Sequence, residues 1–276
     1  MGSSLPLLMG VVNVTPDSFS DGGMWDTPAA AIDHGRDLLA DGADILDIGG
    51  ESTRPGATRP LVEDELGRVI PVIRELSAAG ATVSVDTMRS EVAEHAVASG
   101  ASIVNDVSGG LADPRILDVV AATGATYVCM HWRGHSDRMQ RLAAYEPQGV
   151  VQAVREELSQ RVEDARAAGI ADERIVLDPG LGFAKKAEHN WALLAGLPAL
   201  QSLGFRLLVG ASRKSFLGSL LAGPDGSPRA VDARDAATTA LTVLLAQQRV
   251  WGLRVHDVRS SRDALRALER WEEGTA

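Results

Sequence analysis

The 276-residue chain contains a single cysteine, Cys129, so no disulfide within the chain can stabilise it. One cysteine fits a reducing compartment, and we expect Cys129 in the apolar run TYVCM to be a small buried hydrophobe. No stretch reaches the ~18 apolar residues that a membrane span requires. The first residues, MGSSLPLL, match neither a signal peptide nor a myristoylation site. These absences predict a cytoplasmic protein without membrane attachment.

Aromatic residues are also scarce at 4%, so Val, Leu, Ile and Ala must build the core that a 45% hydrophobic content permits. Positive charge is outnumbered, with 27 Lys and Arg against 37 Asp and Glu and a formal net charge of −10. This balance argues against a general partner of nucleic acids, because such partners need a positive surface field. An anionic small substrate stays possible, because a local cluster of Arg and Lys can dominate a cleft.

Short β-branched runs alternate with longer segments rich in Ala, Leu, Arg and Glu along the whole chain. The predicted strands are Leu7–Val12, Asp44–Ile48, Thr82–Asp86, Ser102–Val107, Thr126–Met130, Arg174–Asp178, Arg206–Val209 and Val250–Val255. The predicted helices are Pro28–Asp41, Leu61–Ala79, Arg89–Ser99, Pro114–Thr123, Gly149–Ala168, Glu188–Leu200, Arg234–Gln248 and Ser261–Trp271.

Eight strand–helix units in 276 residues match the number and size of a (β/α)8 TIM barrel. An open doubly wound sheet alternates strands and helices in the same way and is the alternative, which the count disfavours. Because no linker or change in composition divides the chain, we predict that residues 1–276 form a single domain of the α/β class.

Polar residues and glycines follow all eight predicted strands, whereas the opposite strand ends are mostly plain helix-to-strand connections. The strand exits carry Asn13, DIGGESTRPGA (47–57), Asp86, Asn105, MHW (130–132), Asp178, GASRK (210–214) and RVHD (254–257). Active sites of TIM barrels lie at this end of the strands. The asymmetry therefore predicts a pocket at the C-terminal mouth of the barrel.

The polar residues at these exits are of two kinds. The exits of strands three, four and six carry carboxylate and amide side chains: Asp86, Asn105 and Asp178. The exits of strands seven and eight carry cationic or basic ones: Arg213, Lys214, Arg254 and His256. Carboxylates and amides can recognise a planar, amide-like heterocycle, and a phosphate site recurs after strands seven and eight of this fold. The pocket is thus predicted to fit a heterocycle on one wall and phosphate oxygens on the other.

Taken singly, several motifs point elsewhere or to nothing specific. A lone aspartate at a strand end commonly caps the next helix. Helix capping is a poorer explanation for three separate strand exits that carry Asp, Asn and Asp. GASRKS lacks the glycine that a Walker P-loop has before its lysine, and GLG lacks the third glycine of a dinucleotide fingerprint. His131 and His135 have an i, i+4 spacing, but no nearby carboxylate or third histidine completes a zinc site.

Seven motifs, taken together and in order, resemble the dihydropteroate synthase family. They are MGVVNVTPDSFSDGG, DIGGESTRPGA, SVDT, IVNDVSGG, LDPGLGFAKKAEHNWALL, GASRKSFLG and RVHDV, and the resemblance extends from about Leu7 to about Arg266. MHWRG adds similarity to the actinobacterial-type members. The resemblance implies condensation of 6-hydroxymethyl-7,8-dihydropterin diphosphate with p-aminobenzoate to give 7,8-dihydropteroate and pyrophosphate, in folate synthesis. It also implies inhibition by sulfonamides, which mimic p-aminobenzoate, and a homodimer.

The resemblance further implies residue roles. The pterin site consists of Asp86, Asn105, Asp178 and Lys214. The diphosphate site consists of Asn13, Arg254 and His256, with Asn13 as the protein ligand to Mg²⁺. The p-aminobenzoate pocket takes Thr53, Arg54 and Pro55 from one lid loop, and Phe183, Ser212 and Lys214 from the barrel. Met130 and Gly210 are further substrate-binding candidates. The catalytic candidates are Asp86, Asp178 and Lys214, with Asp17 and Asp21 on the other lid loop.

In the implied mechanism, diphosphate departs, a cation forms on the exocyclic methylene, and the arylamine attacks it. No covalent enzyme intermediate is needed, and the motifs show no nucleophile–base pair such as Ser–His. Two alternatives remain: a non-catalytic pterin-binding paralogue, and a pterin-dependent methyltransferase domain. Complete lid motifs argue against the first, and SRK together with RVHD argues against the second.

Overall fold

The computed structural model describes residues 5–15, 27–51, 59–135 and 139–274. The predicted lid residues lie outside these ranges: Asp17, Asp21, Thr53, Arg54 and Pro55. Their assignments therefore stay predictions that rest on the family resemblance.

Eight parallel strands form a closed barrel in sequence order, and the last strand pairs with the first. They are β1 (Leu7–Asn13), β2 (Ile45–Gly49), β3 (Val83–Asp86), β4 (Ile103–Asp106), β5 (Thr126–Met130), β6 (Ile175–Asp178), β7 (Arg206–Val209) and β8 (Gly252–Val255). Every predicted strand is present, with ends displaced by two residues at most. The closed barrel confirms the predicted (β/α)8 class and excludes the open doubly wound sheet.

Helices separate the strands. They are α1 (Pro28–Ala40), α2 (Val62–Ala78), α3 (Ser90–Ala98), α4 (Arg115–Thr123), α5 (Val150–Ala167), α6 (Ala187–Ala195), α7 (Leu197–Gln201), α8 (Ser215–Leu220), α9 (Asp235–Gln247) and α10 (Val258–Glu273). Short 3₁₀ turns lie at Met139–Leu142, Asp172–Arg174 and Asp232–Arg234. None of the helices in the described ranges is long and apolar enough to cross a bilayer.

Two differences from the predicted helices have local causes. The single helix predicted over Glu188–Leu200 is divided into α6 and α7, because Pro198 has no N–H with which to continue the hydrogen-bond ladder past Gly196. Helix α8 is absent from the predicted helices, because six residues are too few to show a helical period. It packs through Phe216, whose ring meets Trp191 of α6 edge-on at 5.1 Å.

The barrel interior is filled with side chains below its mouth. Six buried residues from six strands form this plug: Met9, Ile45, Ile103, Val128, Val176 and Leu208. A second, larger apolar layer lies between the strands and the helices and includes Cys129, which is fully buried as predicted. Burying one such side chain contributes about 1.5–3 kcal/mol. Since the plug closes the lower part of the barrel, small molecules can enter it only at the mouth.

The exit of β4 is held by Asp106, a fully buried carboxylate. It accepts hydrogen bonds from the backbone N–H and hydroxyl of Ser108 at 2.8 and 2.6 Å. It also accepts from the Gly110 N–H at 2.6 Å and the Tyr127 hydroxyl at 2.9 Å. Burial raises the pKa of Asp106 in spite of these four donors. Asp106 therefore fixes the turn directly after Asn105 and gives that side chain a rigid base.

Candidate active site

The strand ends bring the predicted pterin residues together at the mouth. Asp86 and Asn105 are paired in register on β3 and β4, so they lie at the same height. Asp178 is the last residue of β6, and its side chain is buried. Lys214 follows β7 and interacts electrostatically with Asp178, Asp86 and Arg254. The structure thus brings these side chains from neighbouring strand exits close to one another at the mouth.

Arg254 forms the centre of a buried ion-pair network. Its Nε lies 2.6 Å from Asp47 Oδ2, and its Nη2 lies 2.9 Å from Asp86 Oδ2. Asn105 Nδ2 donates to the same Asp47 oxygen at 3.0 Å. The guanidinium therefore points into the barrel, and it joins β8 to β2 and β3.

Asp47 was not among the predicted site residues. Its side chain is fully buried, and its Oδ1 has no hydrogen-bond partner among the described residues. Leaving a carboxylate oxygen unsatisfied in the interior is costly, so the ion pair with Arg254 must hold it there. An aspartate inside an otherwise apolar strand is the available signal, but Asp47 stands so near the polar loop that it is easily assigned to the loop.

Burial shifts the pKa of three ionisable groups at the mouth. It raises the pKa of Asp86, which the Arg254 charge counteracts and the Asp47 charge reinforces. It also raises the pKa of Asp178, against a hydrogen bond from the Gly180 N–H at 2.7 Å and the Lys214 charge. Burial lowers the pKa of Lys214 to about 8, and Arg254 repels its charge further. Groups that change charge near neutrality are typical of active sites.

An apolar wall borders these charges. Met88, Val107 and Met130 form a buried cluster against which Phe183 packs. Lys214 Nζ lies 4.4 Å from the centre of the Phe183 ring, a cation–π contact. A flat ring with polar edges fits such a pocket, because its faces meet apolar side chains while its edge meets charged ones.

Gly182 makes room for Lys214. Its φ is +82°, and a Cβ at this position would lie 3.1 Å from the Lys214 Cδ. The glycine in GLGF thus serves the approach of a neighbouring lysine, and not the binding of a dinucleotide.

Ser212 and His256 form a hydrogen-bonded pair at the exits of β7 and β8. The Ser212 Oγ lies 2.9 Å from His256 Nδ1 and accepts the His256 backbone N–H at 3.2 Å. The motifs show no Ser–His pair, because these residues are 44 positions apart in sequence. Ser212 is buried, and its hydroxyl contacts both the backbone and the ring of His256. These two contacts fit a serine that orients the imidazole. Gly210 follows the end of β7 beside Arg254, where a Cβ would make only an ordinary contact of 3.7 Å with the Arg254 Cβ.

Asn13 ends β1, which pairs with both β2 and β8. Its side chain is half-buried at the mouth. The described residues contain no cluster of three His, Cys, Asp or Glu side chains that could hold a metal ion. Among the described residues, Asn13 offers a neutral amide oxygen, which together with oxygens of a ligand and water suits a hard cation.

Two residues singled out in the sequence have other surroundings. Arg213 has a φ of 57°, and its guanidinium makes two hydrogen bonds of 2.8 Å to Asp235 of α9. Arg213 therefore connects the β7 exit to α9, and its guanidinium is directed to that helix and not to the predicted phosphate wall. His131 does not join His135 in a zinc site, because it bonds Glu157 at 2.9 Å and Lys185 at 2.8 Å.

Lys185 was also missed by the sequence reasoning. It is buried, and its Nζ bonds His131 Nδ1 at 2.8 Å and the Phe183 carbonyl at 3.0 Å. Burial lowers its pKa to about 7. A lysine next to a second lysine in a loop is usually exposed, so the sequence held no signal for it.

Comparison with known proteins agrees with this geometry. Residues 9–256 match the model of the family described as pterin binding enzyme. The dihydropteroate synthase of Mycobacterium leprae is 52% identical over 265 residues, which cover 96% of this chain and 93% of that protein. The structure of Xanthomonas albilineans dihydropteroate synthase with 4-aminobenzoic acid gives a TM-score of 0.87 at 45% identity, covering 99% and 94% of the two chains. The structure of that organism's enzyme in complex with 7,8-dihydropteroate gives 0.84 at 42% identity, covering 100% and 96%.

Proposed function

Since the chain belongs to the family of pterin-binding enzymes, among its dihydropteroate synthases, we propose that the barrel mouth is where its two substrates are joined. The reaction condenses 6-hydroxymethyl-7,8-dihydropterin diphosphate with p-aminobenzoate to give 7,8-dihydropteroate and pyrophosphate. The observation that carries the assignment of the site is the placement of Asp178 and Lys214. Their opposite charges interact across a pocket whose apolar wall contains Met130 and Phe183.

The pterin ring lies on this wall with its edges toward the charges. The Gly180 N–H holds Asp178 Oδ1 at 2.7 Å and so fixes the plane of the carboxylate. Two parallel N–H groups on the guanidine-like edge of the pterin match a carboxylate held in this way. Lys214 donates to the carbonyl and ring-nitrogen side, and Asp86 and Asn105 bind the remaining polar edge.

The diphosphate lies toward the exits of β1, β7 and β8. Arg254 supplies positive charge there, and Ser212 holds the imidazole of His256 in place. Asn13 fits Mg²⁺, because an amide oxygen suits this hard cation and the pyrophosphate oxygens and water complete its shell. A bound Mg²⁺ would lower the negative charge on the leaving group.

In the reaction, the bond between the exocyclic methylene carbon and the diphosphate oxygen breaks, and its electron pair leaves with pyrophosphate. The positive charge on the methylene is delocalised into the pterin, where nearby carboxylates such as Asp86 and Asp178 stabilise it. The arylamine nitrogen of p-aminobenzoate then donates its lone pair to the methylene and loses one proton. Asp17 and Asp21 are proposed to assist at this carbon.

The p-aminobenzoate pocket combines barrel and lid residues. Phe183, Ser212 and Lys214 from the barrel lie close to one another at the exits of β6 and β7. Thr53 and Arg54, with the neighbouring Pro55, are proposed to complete the pocket once the diphosphate side is occupied. Binding would then be ordered, with p-aminobenzoate entering second.

The assignment is tested by turnover and by calorimetry. Pyrophosphate release should depend on both substrates, and p-aminobenzoate should release heat on binding only when pyrophosphate and Mg²⁺ are present. Binding of the pterin diphosphate without any turnover would favour the non-catalytic paralogue. Failure to bind the diphosphate form more tightly than the free hydroxymethylpterin would favour a methyltransferase-type pocket.

The homodimer is a further proposal, and exposed apolar side chains on the C-terminal helices support it. Leu244 on α9 and Trp271 on α10 are both largely exposed, and these two helices pack against each other. Exposed apolar area of this kind is typical of subunit contacts. Light scattering should give the mass of two chains, and Trp271→Glu should shift it toward one. The cytoplasm remains the proposed location, supported by the single buried cysteine.

A further inference from the structure

Lys185 is a buried lysine without a part in the proposed reaction. It follows Phe183 by two residues, and its side chain turns back to donate to the Phe183 carbonyl at 3.0 Å. The same Nζ lies 2.8 Å from Nδ1 of His131, at the exit of the neighbouring strand β5. The ammonium thus ties together the loops that follow β5 and β6.

The chain of contacts continues to the surface. His131 Nε2 lies 2.9 Å from Glu157 Oε2, and Arg133 Nε lies 3.1 Å from the same oxygen. Glu157 is half-exposed and borders a surface cavity lined also by Trp132. One end of the contact chain therefore meets solvent, and the other lies beneath the mouth.

The proton positions along this chain are set by its charges. Burial and the Lys185 charge lower the pKa of His131 to about 4. Although burial alone would raise it, hydrogen bonds from His131 and Arg133 hold the pKa of Glu157 at about 2. At neutral pH the imidazole is therefore uncharged. It accepts from Lys185 on Nδ1 and donates to Glu157 from Nε2.

Lys185 also interacts electrostatically with the Asp178 carboxylate. The positive charge of Lys185 favours the ionised form of Asp178, and the Asp178 charge favours the protonated form of Lys185. The exits of β5 and β6 are joined here, because the backbone N–H of His131 donates to the backbone carbonyl of Asp178 at 2.9 Å. The loop after β6 is held at a further point, because the Tyr145 hydroxyl donates to the carbonyl of Ala184, the residue before Lys185, at 2.9 Å.

We propose that Lys185 is a positioning residue for pterin binding, which it supports by holding the β5 and β6 exits that carry Asp178 and Phe183. This inference rests on the proposed function of the same site. Lys185 does not face the pterin wall itself, since its nitrogen is engaged by His131 and the Phe183 carbonyl. Its effect passes through Asp178 and Phe183.

The charges around both groups decide the pH range in which this effect is measurable. Asp178 faces the cations Lys214, Arg254 and Lys185, and burial opposes its ionisation. Lys185 in turn faces Asp178, Arg133, Glu157 and Lys214, and burial lowers its pKa to about 7.

Lys185 is therefore charged in the acidic range, where Asp178 takes up its proton, and largely uncharged above neutrality. Removing its charge should raise the pKa of Asp178. Pterin affinity should then be lost at a higher pH during acidification.

The test compares Lys185→Met with Lys186→Met, which removes the charge of the adjacent, exposed lysine. Dissociation constants for 6-hydroxymethyl-7,8-dihydropterin diphosphate are measured by calorimetry from about pH 5.5 to about pH 8.5. The Lys185→Met value should exceed that of the unsubstituted chain several-fold at the acidic end, because a larger share of Asp178 is protonated there. The two values should approach each other at the alkaline end, and Lys186→Met should follow the unsubstituted chain throughout.

Lys185→Gln separates charge from hydrogen bonding, because it keeps an N–H donor for the Phe183 carbonyl. It should show the same acidic loss as Lys185→Met, and it carries the test if the methionine variant does not fold by circular dichroism. A folded variant that titrates like the unsubstituted chain would overturn the inference, and so would a glutamine variant that behaves normally while the methionine variant does not. If the unsubstituted chain binds no pterin diphosphate at any pH, the proposed function fails instead.

Discussion

Among single residues, Asp178 offers a direct test of pterin recognition, because asparagine can keep its backbone hydrogen bond. In Asp178→Asn, the side-chain oxygen can still accept the Gly180 N–H, while the negative charge and one acceptor for the guanidine-like edge are lost. A hydrogen bond to a charged group contributes about 1.5–3 kcal/mol, so affinity for the pterin diphosphate should fall about 10- to 100-fold. Calorimetry measures this loss.

The matched control is Asp172→Asn, which removes an exposed carboxylate paired with Arg166. It should leave the dissociation constant unchanged. Equal affinities of Asp178→Asn and the unsubstituted chain would remove Asp178 from the pterin site.

Lys214 should set the alkaline limb of the pH profile. Burial lowers its pKa to about 8, so the side chain is a cation below this pH and loses its charge as the pH rises through it. Since the cation binds the pterin, kcat/KM should fall above about pH 8. Lys214→Ala should nearly abolish turnover.

Lys214→Arg keeps a charge that does not titrate in this range, so its residual activity should lack the limb. Lys185→Met serves as the control, because it leaves Lys214 in place and should retain the limb. An arginine variant with an unchanged alkaline limb would assign that limb to another group.

At the scale of the elements, the exits of β5 and β6 interlock through Gly180. Its φ is +66°, and a Cβ would lie 2.3 Å from the His131 carbonyl oxygen. Gly180→Ala must therefore push the two exits apart. We expect a loss of about 2–4 kcal/mol in the free energy of unfolding, from backbone strain and overpacking together. Urea denaturation measures it.

Gly204→Ala isolates the backbone part of this loss. Gly204 also has a positive φ, +84°, but a Cβ there would meet nothing within 4 Å. Its substitution should cost only about 1–2 kcal/mol, the left-handed strain of a non-glycine residue. Similar losses for both variants would mean that the contact with His131 adds nothing.

The sequence predicted the elements better than it predicted the side-chain pairs. Alternating runs located all eight strands, because a buried parallel strand is marked by its own composition. The division of α6 from α7 was missed although Pro198 stands at the boundary, since the apolar period continues through it. Asp86, Asn105 and Asp178 could be predicted because each lies at or next to the end of a strand.

Asp47 and Lys185 could not be predicted in the same way. Their importance comes from partners that only the closed barrel brings close, Arg254 for Asp47 and His131 for Lys185. Arg213 shows the converse: it stands in the motif with Lys214, yet it turns to Asp235 on α9. The positions of the strands can be predicted from local composition, whereas the orientation of a side chain in a loop depends on residues that are distant in sequence.

For the whole molecule, the buried Lys185 and the half-buried Lys214 should make stability depend on pH. Lys185 and Lys214 have pKa values of about 7 and about 8 in the folded chain, below the ordinary value of about 10.4 in the unfolded chain. Between these values the unfolded chain binds more protons than the folded one. The lysines therefore make the free energy of unfolding rise with pH over this range, and their destabilising effect is largest, and constant, below the folded pKa values.

The Lys185 part of this dependence can be isolated by difference. The free energy of unfolding of the unsubstituted chain, minus that of Lys185→Met, should increase by on the order of 2–4 kcal/mol from about pH 7 to about pH 10. Other titrating groups largely cancel in the difference. Urea denaturation at several pH values measures this difference. A constant difference would show that folding does not lower the pKa of Lys185.

The link between Asp47 and Arg254 spans 207 positions of sequence. During synthesis, Asp47 and Asp86 leave the ribosome long before the strand that carries their shared cation. A nascent chain that ends before β8 has two carboxylates on strands that must become interior, and it lacks the guanidinium that neutralises them. The chemical centre therefore cannot be completed before β8 has been made, so a chain that ends before β8 lacks both the closing strand and the cation of the mouth.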